Sequence, residues 1–162
     1  MAIPENAVRQ AVPGDAPAVA QIWSEGWADG HRGHVPDELY AFRTSGSYLP
    51  RAEERIDETL VAEVDGRITG FTVVVGDELE QIYVDREARG TGTALALLRE
   101  AEERIRRAGH AQAWLAVVDG NARAKAFYER AGWVEAGAIR YAAEAGDATV
   151  DVPARRYVRD VG

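Results

Sequence analysis

The 162-residue chain contains no cysteine. Disulfides, a thiol nucleophile and thiolate metal ligands are therefore excluded. Long apolar runs are missing too, since no stretch approaches the roughly 18 residues that a membrane-spanning helix needs. Met1 to Gln10 carry neither a basic flank nor an apolar run, so no secretory leader is expected and the expected location is the cytoplasm. There is no internal repeat, low-complexity tract or linker-like segment. The length fits one domain over residues 1–162, large enough to bury a core without metal or disulfide staples. Positive charge is scarce: the net charge is −8 and the isoelectric point lies near 4.9. Such a surface repels phosphate backbones, so nucleic acid is not expected as a partner. It would attract a cationic acceptor, although acidic surfaces mostly serve solubility. Lys125 alone among nineteen basic residues is lysine, which with the many alanines reads as a coding bias.

Against these absences stands a clear alternation of elements. Ala7 to Val12 predicts a short strand. Asp15 and Pro17 open a helix whose apolar face carries Val19, Ile22, Trp23 and Trp27, with Gly26, Gly30 and Gly33 loosening its end. Short helices are predicted over 37–42 and 51–58. Thr59 to Val64, Ile68 to Val75 and Glu78 to Val84 read as an antiparallel meander, turned at Asp65-Gly66 and Gly76-Asp77. Beyond Gly90 to Ala94 a helix places Ala94, Leu97, Leu98, Ala101 and Ile105 on one face and Arg99, Glu102, Glu103, Arg106 and Arg107 opposite. The apolar strand Ala113 to Val118, a helix from Asn121 to Ala131 and a final hairpin, Val134 to Tyr141 with Thr149 to Val158, follow. A helix joining neighbouring strands makes them parallel. The predicted fold class is α/β, a mixed, mostly antiparallel sheet with helices on both faces.

Two places carry chemistry. The bend Arg89-Gly90-Thr91-Gly92-Thr93-Ala94 lies between a strand and a long helix. Helix N-termini offer unpaired N–H groups and the positive dipole end, glycines let a ligand approach the main chain, and Arg89 adds charge, a combination suited to phosphate. Glycine bends also serve ordinary turns. A Walker A loop is excluded because no Gly-Lys-Ser/Thr run exists, and a dinucleotide fingerprint because Leu95 occupies the place of its third glycine. The second place is the helix from Asn121, on which Tyr128 follows two turns later on the same face. Without context, Tyr128 also reads as a core aromatic and Asn121 as a helix cap.

Three segments in order resemble the GNAT acetyltransferase superfamily: Leu79 to Asp85 as its cofactor strand, Arg89 to Ala94 as its pyrophosphate loop (Q/R-x-x-G-x-G/A), and Asn121 to Trp133, Asn-Ala-Arg-Ala-Lys-Ala-Phe-Tyr-Glu-Arg-Ala-Gly-Trp, as its last motif. Thr93 departs from the aliphatic residue usual there, a change for packing. The resemblance implies the acyl-CoA N-acyltransferase fold and an N-acetyltransferase that uses acetyl-CoA as co-substrate without a metal. The strand Ile82-Tyr83-Val84 would pair with the pantetheine arm through its main chain. Arg89, Gly90, Thr91, Gly92, Thr93 and Ala94 would hold the pyrophosphate, Asn121 would contact the pantetheine arm or thioester, and Tyr128 would protonate the departing thiolate. Glu80 corresponds to the acid of polyamine-acetylating relatives. Dimers are common in the family, so a homodimer is admitted.

Amine attack also needs a proton acceptor. By strand alternation Glu78 and Glu80 share the face of Ile82 and Val84, where partial burial would raise their pKa, so Glu80 is the candidate base and Glu78 its alternate. Both also read as solvated strand-end charges. His31 and His34 are further candidates in the loop after the first helix. With no cysteine to carry an acyl group, direct attack in a ternary complex is the expected route. The rivals are a non-catalytic acetyl-CoA sensor and transfer of a longer acyl group, decided by the space near Phe71 and Val73. The acceptor, a small-molecule amine or a protein N-terminus, stays open.

Overall fold

The computed structural model describes residues 7–162, so most of the stretch read for a leader lies outside the described residues. A seven-stranded sheet runs in the order β1-β2-β3-β4-β5-β7-β6, formed by β1 (Ala7–Gln10), β2 (Thr59–Val64), β3 (Arg67–Val75), β4 (Glu78–Val84), β5 (Gln112–Val118), β6 (Val134–Ala145) and β7 (Ala148–Asp160). Every neighbouring pair is antiparallel except β4–β5. The meander β2–β3–β4 follows from its turns: Asp65 and Gly66 both take positive φ (52° and 77°), as a two-residue hairpin with right-twisted strands requires.

Helices cover both faces. α1 (Ala16–His31) and α2 (Tyr48–Glu54) lie over one, with Trp23, Tyr48, Val61, Phe71 and Val73 in the core between. α3 (Thr93–Arg107) and α4 (Ala122–Arg130) lie over the other, with Leu98, Ala101, Ile105, Leu115 and Tyr157 beneath. The crossover through α3 makes β5 parallel to β4, as its connectivity demands. That pairing is confined to Glu78 opposite Trp114 and a bond from Trp114 N–H to the Asp77 carbonyl (3.1 Å). Beyond it β4 and β5 separate, and this split creates the main cleft.

The structure departs from the sequence reading in several places. The helix expected over 51–58 starts earlier, at Tyr48, and stops at Glu54, with a separate 3₁₀ turn at Ile56–Glu58. Pro50 sits in its first turn, where a missing N–H forfeits no intrahelical bond. The final hairpin is longer than expected at both ends, and β7 inserts between β5 and β6. Gly26 and Gly30 lie inside α1 and are buried. A Cβ on Gly26 would stand 2.3 Å from the Tyr83 ring, and one on Gly30 would meet the Asn121 amide at 3.0 Å, so these glycines admit close packing. Lastly, Glu102 is buried, whereas the helical pattern places it on the polar face of α3. It binds Arg99 and Arg159 (both 2.8 Å) and accepts from the Trp133 indole N–H (3.3 Å). Arg99 and Arg159 also donate to the Ala131 carbonyl at the end of α4. This network fixes α4, which carries Asn121 and Tyr128, against α3 and β7.

Candidate active site

Where β4 and β5 part, a cavity of about 420 Å³ opens. Ile82, Tyr83 and Val84 of β4, Arg89, Gly90, Gly92 and Ala94 of the bend, and Asn121 and Tyr128 of the α4 segment all line it, as do Gly26 and Gly30 of α1. Most of the sequence-predicted cofactor residues thus meet in one place. Gly90 and Gly92 have φ of 78° and 87°, the left-handed region that disfavours a side chain. The first bond of α3 runs from Ala96 N–H to the Gly92 carbonyl (3.0 Å), so the N–H groups of Ala94 and Leu95 have no intrahelical acceptor. Thr91 and Thr93 are not among the lining residues. The Thr91 hydroxyl donates to the Ala88 carbonyl and lies 2.9 Å from that of Thr93, which is buried; both side chains shape the bend.

Asn121 caps α4 by accepting from Ala124 N–H (3.2 Å), which leaves its amide nitrogen to donate. Tyr128 is buried, its ring tilted against Phe127, Trp133 and Tyr157 at centroid distances of 5.3, 6.1 and 6.3 Å. Its hydroxyl forms no hydrogen bond among the described residues, and burial pushes the phenol pKa up. Cap and packing roles are therefore realised together with a place on the cleft wall. Arg89 is tied to Asp29 of α1 (2.7 Å), which also binds Arg86 (2.8 Å). The Arg86 bond, aided by Arg89, holds the Asp29 carboxyl down at about 2. No local sequence pattern signals Asp29, because its partners lie some sixty residues away.

The candidate bases occupy a second, smaller cavity of about 140 Å³ on the α1 side of β4, lined also by Trp27, His31, Arg43, Arg51, Tyr141 and Glu144. The expected shared face with Ile82 is overturned. The β3–β4 register shifts between Val73 and Val74, whose partners are Gln81 and Leu79, so Glu80 is an extra, unpaired residue of β4. Such a bulge breaks the two-residue alternation. Ile82 packs into the α3/α4 cluster, while Glu78 and Glu80 reach the cavity on the α1 side. Glu78 accepts from the Tyr141 hydroxyl (2.9 Å). Burial raises its pKa, and the Tyr141 bond partly offsets this. Glu80 meets Arg55 Nε at 3.3 Å. Its pKa too is raised by burial, against the pull of Arg55. Neither glutamate is a solvated strand-end charge.

His31 joins this cavity, stacked on Trp27 (5.2 Å, 3° between planes), with Nδ1 3.2 Å from the Trp27 carbonyl. Burial pushes its pKa down to about 4, so the imidazole is neutral. His34 does not join; its ring lies on Gly120. Trp23 is a core residue, whereas Trp27 is both core and cavity wall. Phe71 and Val73 are fully buried and line neither cavity. Sequence reasoning missed Arg43, Arg51, Arg55 and Tyr141, which come from segments with no motif of their own. No group of side chains suited to a metal ion occurs among the described residues, and no helix there is long and apolar enough to cross a membrane.

Comparison with known proteins bears on the family and the fold. A family model described as the acetyltransferase (GNAT) family matches residues 17–133. An uncharacterized N-acetyltransferase of Mycobacterium tuberculosis is 35% identical over 108 residues, covering 61% of this chain and 69% of that protein. Among solved structures, a GCN5-related N-acetyltransferase from Rhodopseudomonas palustris superposes with a TM-score of 0.75 at 19% identity, covering 99% of this chain and 98% of the other. An acetyltransferase from Salmonella typhimurium, solved with its cofactor acetyl-CoA, gives a TM-score of 0.70 at 17% identity, covering 98% and 95%.

Proposed function

The chain belongs to the acetyltransferase (GNAT) family and is an N-acetyltransferase; from this premise we propose that it holds acetyl-CoA in the cleft between β4 and β5 and acetylates an amine by direct attack. The observation that carries this reading is the meeting of β4, the glycine bend, Asn121 and Tyr128 around one cavity at the split in the sheet. The unpaired edge of β4 offers main-chain groups to the amides of the pantetheine arm. The N–H groups of the bend and the first turn of α3 bind the pyrophosphate oxygens, and Arg89 supplies charge.

The acceptor amine enters from the α1 side, past Glu78, Glu80 and His31. Its nitrogen, made neutral by proton loss to Glu80 or Glu78 directly or through water, attacks the thioester carbonyl carbon. A C–N bond forms, the C–S bond breaks, and the electron pair leaves on sulfur as thiolate. Tyr128 is protonated at neutral pH and donates its O–H to that sulfur. A free thiol titrates near 8.5, well below a buried phenol. Tyr128 therefore stabilises the thiolate by a hydrogen bond; the second proton, which the nitrogen sheds after attack to become a neutral amide, reaches the sulfur through solvent, and the first leaves the glutamate for bulk water. Glu80 owes its basicity to burial and its ionised state to Arg55, a balance suited to a base.

The test is an acceptor screen with acetyl-CoA that follows released thiol, paired with calorimetry of acetyl-CoA. Binding with turnover of an amine supports the reading. Binding without turnover of any amine would return the chain to the sensor class, and absence of binding would remove the cleft from the proposal.

A further inference from the structure

The charges lining the smaller cavity come from separate elements. On the β4 and β6 side, Glu78 is held by Tyr141, and Glu80 and Glu144 are both held by Arg55 (3.3 and 3.1 Å). The same cavity is lined by Arg43, just beyond the 3₁₀ segment Asp37–Phe42, and by Arg51 of α2. Neither arginine pairs with a carboxylate among the described residues. Arg43 Nη1 reaches only the neighbouring Phe42 carbonyl (3.3 Å). Arg43 Nε and Arg51 Nη1 are buried and without any hydrogen bond. Arg51 stacks over Trp23 (4.7 Å) and Tyr48 (5.9 Å), and Arg43 over Trp27 (6.0 Å). These rings hold the guanidiniums in place and leave most of their N–H groups unspent. Two like charges, each with a buried N–H group left without a partner, are costly to maintain. Burial and the nearby Arg51 lower the pKa of Arg43 to about 10. An arriving anion would relieve that cost, with the planar guanidiniums well shaped for a carboxylate.

We propose that the acceptor is a small amine that also carries a carboxylate, a free amino acid, with its carboxylate held by Arg43 and Arg51 and its ammonium directed to Glu78 and Glu80. The proposal rests on the acetyltransferase reading above and names the substrate class of the same site. Size agrees with it. The cavity is about 140 Å³, and one of about 150 Å³ takes a benzene-sized molecule. A compact amino acid fits that scale. A protein N-terminus brings an amide where the carboxylate is needed, so it leaves both arginines unpaired. His31, neutral in this cavity, adds no competing charge.

The experiment uses the unmodified enzyme with each free amino acid, its carboxamide and the matching decarboxylated amine, together with short peptides and an aminosugar. Turnover is followed with acetyl-CoA. Binding is measured by calorimetry with CoA in its place, where no acetyl group can move. The expected result is at least one amino acid whose kcat/KM and affinity exceed those of its carboxamide by about 10- to 100-fold, the scale of a charge-assisted contact. Arg43→Gln and Arg51→Gln should each raise KM for that amino acid about tenfold or more. They should narrow its preference over the carboxamide to within about threefold, with acetyl-CoA affinity unchanged. Equal or better use of carboxamides, peptides or aminosugars overturns the proposal while leaving the acetyltransferase reading intact. So does failure of every amino acid to bind the CoA complex. Loss of acetyl-CoA binding itself would strike the broader reading instead. Because the acceptor pairs are compared on the parent protein, misfolding of a variant does not remove the test.

Discussion

Replacing Tyr128 by phenylalanine removes one oxygen and nothing else that the fold uses. The ring keeps its contacts with Phe127, Trp133 and Tyr157. The hydroxyl has no protein partner among the described residues, so no buried group is orphaned by its loss. The stability change should stay within about 0.5 kcal/mol, as for substitutions that break no packing or hydrogen bond. The kinetic effect depends on what the hydroxyl does for sulfur. A hydrogen bond to a charged atom is worth about 1.5–3 kcal/mol, which corresponds to about 10- to 150-fold in rate. Full general-acid catalysis typically contributes about 100- to 10,000-fold. Because burial raises the phenol pKa, proton transfer to a thiolate is uphill, and the smaller range is expected. The assay is single-turnover acetyl transfer to one verified amine, with calorimetry of acetyl-CoA and a thermal melt on the same samples. A kcat reduced about 10- to 150-fold, with Kd changed less than about threefold, fits the argument. Undiminished turnover in the folded variant would return Tyr128 to packing alone.

Further outcomes concern the carboxylates, the bend and the histidine. A base must be ionised, so kcat/KM should fall as pH drops through the raised pKa of the responsible glutamate; Glu80→Gln should abolish that acid limb, and Glu78→Gln should do so instead if the base lies at the other carboxylate. Parent-like pH profiles in both variants would shift the role to His31 or solvent. Gly92→Val forces a side chain into a backbone with φ of 87°, costing roughly 1–2 kcal/mol of stability, and should weaken acetyl-CoA binding at least about tenfold by calorimetry; undiminished affinity in a folded variant would exclude the bend from the site. His31 binds its proton near pH 6.5 when unfolded and near 4 when folded. The unfolded chain thus holds more protons between those values, and stability falls as pH drops from 6.5 toward 4, by up to about 1.4 kcal/mol per unit. Denaturant melts of His31→Asn should lose that slope, and an unchanged slope would contradict the burial argument.

Much of this was legible along the chain because it is local. The Asp65-Gly66 turn, the apolar stripe of α3 and the glycines at 90 and 92 each depend on residues close in sequence. The same locality ties Asn121 to Tyr128 on one helix, and the three segments in order carried the family and its mixed fold. What the chain could not show arises from partners far apart. Glu102 reads as a surface acid until Arg159 and Trp133 are brought beside it from 57 and 31 residues away. The bulge at Glu80 is a mismatch between two strands, so no single strand encodes it, yet it moves the carboxylates to the opposite side from Ile82. The split between β4 and β5 likewise exists only once both strands are placed. Arg43, Arg51, Arg55 and Tyr141 carry no motif because a cavity needs only their charge and position. The nucleotide-type bend was readable from neighbouring residues, whereas the acceptor cavity was decided by tertiary packing, since its walls come from four separate stretches of chain whose meeting no local pattern specifies.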